Sequence, residues 1–351
     1  MKKKTGFVSF FCIMAIPVLL VALSVVIIDP FFHYHKPIEG MPIILSDERY
    51  QNDGIVKHFE YEAIITGSSE TQNFKTSEFE KIFNVKAVKT SFAGAKFKEV
   101  DELVRMALQH NDNVKIVVRS LDINTLNSDK NEVGYEDTPN FLYDSNPFND
   151  YEYLFNQDVI IDIGLIVQKM IRHEEADSFD DYSYFADEKT YGKQAVLATF
   201  ARCEVKDGEV KMPTEEDYAR IRENLEQNVI ETAKKNPEVT FYYFIPPYSA
   251  YFWDATIRSN EFDFVLETER YAMELLTEVP NIRLYSFSTE SDITCNPEKY
   301  MDTLHYDGAT NTYILKSMAE GNGLITAENY EEEIEKQREL YSSFDYEILF
   351  E

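Results

Sequence analysis

Five short apolar runs, each separated from the next by segments of helical spacing, constrain this 351-residue chain more than any other feature. They are Tyr61–Thr66, Val85–Thr90, Val114–Val118, Val239–Ile245 and Ile282–Phe287. Gly67 ends the first and Pro246–Pro247 stops the fourth. Short apolar runs rich in β-branched and aromatic residues read as buried strands. Helices are predicted at 77–83, 99–110, 215–235, 263–277 and 307–319, with a further one at 327–340. In the second of these, Val100, Leu103, Val104, Ala107 and Leu108 form one stripe. Strand and helix in alternation predict an α/β fold, a parallel sheet covered by helices on both faces. Active sites of such sheets lie at the carboxyl ends of the strands, so the residues directly after each run carry the functional question.

The N-terminus sets a second constraint. After Met1 and Lys2, Lys3 and Lys4, residues 7–28 contain no charged side chain. Roughly 20 apolar residues suffice to cross the hydrocarbon core, where a lone segment must be helical. The lysines favour the cytoplasmic side. The expected organisation is a cytoplasmic tail (1–6), a transmembrane helix (7–28) and a single-pass protein at the cell membrane with the remainder extracytoplasmic. A cleaved signal peptide ending near Ala22-Leu23-Ser24 is the rival, but the apolar run continues to Ile28. Residues 29–60 form a membrane-proximal segment in which Phe31, Phe32 and Tyr34 suit the interface. His33 and His35 alternate as in a strand. They either share a face for a metal or belong to this collar, and no third ligand is near. The main domain is expected over 61–325, with an insertion at about 127–212 that contains a helix at 158–171. A C-terminal helix and tail occupy 326–351. A net charge of -29, from 63 acidic and 34 basic residues, argues against nucleic acid as a partner. Cys203 and Cys295 are open to either a bridge or two thiols.

Three segments after the runs carry chemistry. Thr66-Gly67-Ser68-Ser69-Glu70-Thr71 places a serine at a strand-to-helix turn, where a glycine permits a tight backbone. A serine nucleophile needs a base to take its proton. Asp302-Thr303-Leu304-His305, just before a helix, supplies an imidazole and a carboxylate that fixes its tautomer. Ser91-Phe92-Ala93-Gly94-Ala95 places Gly94 where a backbone N–H can face the pocket as an oxyanion donor. Taken singly, each also fits a cap or a surface turn.

Serine after the first strand, glycine after the second and Asp-x-x-His before the last sheet helix together resemble the SGNH/GDSL hydrolase superfamily. The likeness runs from about Tyr61 to Ala319, with the insertion unmatched. The Gly67-Ser68-Ser69-Glu70 block is similar to that of membrane-anchored D-alanyl transfer proteins and of SGNH partners of membrane-bound O-acyltransferases. The resemblance implies a three-layer flavodoxin-like sheet, with Ser69 as nucleophile and His305 and Asp302 as its partners. It also implies oxyanion donors at Ser69 and Gly94. The third block departs from the family pattern. Asp122 stands where an asparagine is expected, and Asn124 or Arg119 would have to substitute. The implied activity is a serine acyl esterase or O-acyltransferase acting on cell-wall or exopolysaccharide glycans. The alternative is an inactive glycan-binding or scaffolding partner of a membrane-bound O-acyltransferase. No cofactor or metal is expected. Tyr248, Tyr251, Phe252 and Trp253 either stack on sugar rings or pack in the core.

Overall fold

The computed structural model describes residues 2–135, 139–144 and 146–351, with backbone alone for 2–12 and 140. The chain forms two compact units, Met1–Glu60 with Asp137–Ser178, and Tyr61–Glu136 with Phe179–Glu351. The segment expected as one insertion over 127–212 is therefore divided. Its first half joins the N-terminal 60 residues, because Leu142, Tyr153 and Val159 bury themselves with Val25 and Phe31. Apolar spacing within a segment does not reveal a partner more than a hundred residues away.

In the first unit a helix spans Lys2–Ile28. From Ile13 onward most of its apolar side chains are exposed. Among the described residues no helix is long and apolar enough to cross a membrane. The side chains of 7–12, the first part of the expected span, lie outside the described residues. The chain then turns about Asp29, which has a left-handed φ of 48°. Its carboxylate accepts the N–H groups of His33, Tyr34 and His35 and, at 2.7 Å, the buried hydroxyl of Tyr153. This turn replaces the extended conformation that would have aligned His33 and His35. His33 lies 3.6 Å from Asp150, while the ring of His35 meets the carbonyls of Lys36 and Val26. The helix Glu48–His58, capped by Asp47, was not evident in the sequence pattern.

The second unit holds a six-stranded sheet: β1 (Ala63–Gly67), β2 (Ala87–Ser91), β3 (Ile116–Ser120), β4 (Thr240–Ile245), β5 (Ile282–Ser286) and β6 (Leu324–Ile325). The order is β2-β1-β3-β4-β5-β6. The first five are parallel and β6 is antiparallel to β5. The five expected strands are present within one or two residues, whereas two-residue β6 is too short to show a period. Helices Thr76–Phe83 and Gly308–Glu320 pack on each other. Phe97–His110, Glu215–Leu225 with its continuation, Phe262–Thr277 and Tyr330–Ser343 form a second set. The predicted 215–235 helix is interrupted by one π turn at Glu226–Ile230. The chain leaves β1 for β2 on one side and returns past it to β3 on the other, so the topological switch point lies between β1 and β3.

A helix at Ala250–Arg258, absent from the sequence expectation, follows the Pro-Pro stop. Trp253 stacks on Tyr341 at 4.5 Å, and Tyr248, Tyr251 and Trp253 are each at most 1% exposed. All three belong to the core and have no face open to a sugar ring. Cys203 and Cys295 are both free thiols.

Candidate active site

The site grows from the carboxyl end of β1. Gly67 has φ +139°, and a Cβ there would lie 2.6 Å from Ser120 Oγ and 2.9 Å from Thr71 Cγ2. Only glycine lets the chain turn this closely over the end of β3. Ser69 opens a single 3-10 turn, Ser69–Thr71, capped by Ser68. Thr71 Oγ1 lies 2.9 Å from the Ser68 carbonyl and 2.8 Å from Ser91 Oγ, so the ends of β1 and β2 are joined beneath the turn. The carbonyl of Glu70 accepts from Tyr306 Oη and Asn311 Nδ2. The serine turn is thereby bonded to the C-terminal segment.

That segment closes as a loop. Asp307 N donates to Lys299 O, Met301 N to His305 O, and Ser249 Oγ holds the Thr303 carbonyl at 2.7 Å. Asp302 Oδ1 accepts the N–H groups of Leu304 and His305, each at 2.8 Å. Its Oδ2 lies 2.7 Å from His305 Nδ1. His305 Nε2 lies 2.7 Å from Ser69 Oγ, across 236 residues of sequence. A carboxylate on Nδ1 selects the tautomer whose Nε2 is free to accept the serine proton. The ring edge of Phe185 meets the imidazole at a centroid distance of 5.9 Å.

Burial alone would lower the His305 pKa. The hydrogen bond that His305 donates to Asp302 and the charges of Glu70, Asp302 and Asp122 outweigh it and bring it up to about 9. Burial opposes ionisation of Asp302, but its bond to His305 and the two backbone N–H groups hold it below the usual range. Glu70 was not singled out by sequence reasoning. A glutamate beside a turn reads as solvated, and nothing in its spacing signals otherwise. Its side chain is buried, with Oε1 3.9 Å from His305 Nε2. Burial, with the repulsion of Asp122 and Asp302, pushes it up to about 8 against the attraction of His305.

The remaining sequence candidates are placed less centrally. Gly94 adopts a left-handed φ of +66° in the exposed turn after β2. Asp122 is buried after β3, receives the Tyr248 hydroxyl at 3.3 Å, and is shifted upward by burial. Asn124 is exposed in a short 3-10 turn. Arg119 points elsewhere. Its guanidinium donates to the carbonyls of Asn228 and Phe97 and lies over the Phe97 ring. The strand alternation that aims Ser120 at the serine turn sends Arg119 to the opposite face, so Arg119 does not substitute for the missing asparagine.

A cleft of about 390 Å³ is lined by Asn73, Lys75, Tyr184, Tyr191, Asp307 and Thr312, among others. Two of its walls follow Ser69 and His305 in sequence, and neither of those side chains lines it. Asn73 Oδ1 accepts the N–H groups of Phe185 and Ala186, fixing the third wall.

No protein-family model matches the chain, and no curated protein matches it. One solved structure is similar, described as "The structure of a putative platelet activating factor from Streptococcus pneumonia", at 11% identity. It covers 78% of this chain and 88% of that one with a TM-score of 0.35.

Proposed function

We propose that this chain is a serine acyl esterase or O-acyltransferase of the SGNH type, held at the membrane by its N-terminal helix and acting on cell-wall or exopolysaccharide glycans. The observation that supports the reading most is the continuous hydrogen-bonded chain Ser69–His305–Asp302 at the carboxyl edge of the sheet. The strand order 2-1-3-4-5, that of a flavodoxin-like doubly wound sheet, supports the SGNH assignment.

In the proposed reaction, His305 Nε2 takes the Ser69 proton as Oγ bonds to an ester carbonyl carbon. The N–H groups of Ser69 and Gly94 receive the oxyanion. On collapse the C–O bond to the leaving alcohol breaks, and the imidazolium returns the proton to that oxygen. Asp302 stabilises the imidazolium throughout. In the second half the imidazole takes the proton of water or of a glycan hydroxyl as that oxygen bonds to the acyl carbon, the bond from the acyl carbon to Ser69 Oγ breaks, and the imidazolium returns the proton to Oγ.

A second reading, a non-catalytic glycan-binding partner of a membrane-bound O-acyltransferase, is favoured by the third block. There a carboxyl replaces the expected amide, and Asn124 faces solvent. Loss of one oxyanion donor typically costs about 10²–10³ in rate. Hydrolysis of p-nitrophenyl acetate by the full chain, run beside an acyl-transfer assay with glycan acceptors, separates the two. The enzymatic reading expects turnover lost in Ser69→Ala and kept in Ser68→Ala. Equal background rates in the wild type and both variants favour the binding partner.

A further inference from the structure

The helix Gln157–Arg172 in the first unit is apolar on the side that faces its own core and also on the side that faces out. Val159 and Ile166 are buried. Ile160, Ile161, Leu165, Val167, Met170 and Ile171 are all exposed, Ile171 by 74%. The two charged residues within that stretch are withdrawn from the outer face. Asp162 is buried and accepts from Ser46 Oγ at 2.6 Å, and Lys169 pairs with Asp177 at 2.8 Å. Gln168 is the one exposed polar side chain between Ile160 and Ile171. Gly164, on the same outer side, has open space where a Cβ would be. Scattered surface hydrophobics need no explanation, but a contiguous outer face of this kind does.

Its neighbours are apolar as well. The helix packs against Lys2–Ile28, whose outward residues from Ile13 to Ile27 are, apart from Ser24, apolar and exposed. Ile166 shares an apolar crevice with Ile28, Pro37, Ile38 and Met41 at the end of that helix. Phe148, 88% exposed, and Tyr151 lie just before it in sequence, and aromatic residues gather at the edge of a bilayer. The outer face is thus continuous with the N-terminal apolar helix, and Asp158 and Arg172 bracket it.

We propose that the outer face of Gln157–Arg172 lies in a lipid bilayer surface as a second, interfacial membrane contact beside the N-terminal helix. A helix of large apolar side chains lying along the headgroup–acyl boundary buries one face in lipid and keeps the other on its protein. The proposal is independent of catalysis at Ser69.

The test reconstitutes the full chain in phosphatidylcholine vesicles and compares Ile161→Trp and Ile171→Trp with the wild type, whose single tryptophan, Trp253, is buried. With lipids brominated in the acyl chain, both variants are expected to gain a blue-shifted emission component that is at least half quenched. Vesicle-bound variants with water-like, unquenched emission overturn the inference while leaving the N-terminal anchor intact. A chain that does not bind the vesicles overturns both.

Discussion

At the carboxyl edge of the sheet, Ser69, Glu70, Asp122, Asp302 and His305 are brought together by side-chain and backbone hydrogen bonds, with Glu70 and Asp122 buried. In the first unit the arrangement is inverted. Asp29, Gln51 and Asp162 are turned inward, and large apolar residues face out. Most buried polar groups are paired, and exposed apolar faces mark contacts. On the proposed reading, chemistry belongs to the sheet edge and attachment to the smaller unit.

Four substitutions test that contrast. The largest effect is expected from Asp302→Asn, which leaves the geometry but removes the charge that selects the His305 tautomer. Esterase turnover is expected to fall by about 10⁴, measured as kcat, with the unfolding midpoint nearly unchanged. Next, Phe244→Ala in the centre of the sheet core should destabilise the sheet unit by about 3–5 kcal/mol in guanidinium unfolding followed by circular dichroism. Tyr153→Phe should cost less, about 1–3 kcal/mol, because it leaves a buried Asp29 oxygen short of its donor. It should act on the first unit and leave turnover unaffected. Equal loss of turnover in both variants would erase the division of labour.

The smallest effect concerns pH. His305 must be neutral to accept the Ser69 proton, and its pKa is raised to about 9. Activity is therefore expected to rise with pH and reach half its maximum near that value. Three carboxyls face the imidazole: Asp302, Glu70 and Asp122. A carboxylate at Glu70 favours the imidazolium, so Glu70→Gln removes one of the upward influences. The half-maximum should move about one unit toward lower pH, read from the pH profile of kcat/KM. An unmoved profile would show that Glu70 does not act on His305.

The strands were legible because parallel strands buried on both faces leave continuous apolar runs, as in Phe241–Ile245. Ser69, Asp302 and His305 were legible as candidates because each stands at a turn beside such an element. Glu70 was not, because burial of a carboxyl depends on Tyr306 and Asn311 arriving from far along the chain. The divided insertion was also hidden. Tyr153 belongs with Asp29 through one hydroxyl, and no local spacing encodes a bond across 124 residues. Arg119 looked like a spare cation near the site until strand alternation sent it to the other face.

On this reading the Ser69 hydroxyl, and not that of Ser68, is the activated one. Peptide-mapping mass spectrometry after treatment of the full chain with a fluorophosphonate tests it directly. A single adduct on Ser69, absent in His305→Ala, is the predicted result. An unmodified Ser69 alongside modification of Ser68, or of no serine at all, would contradict it.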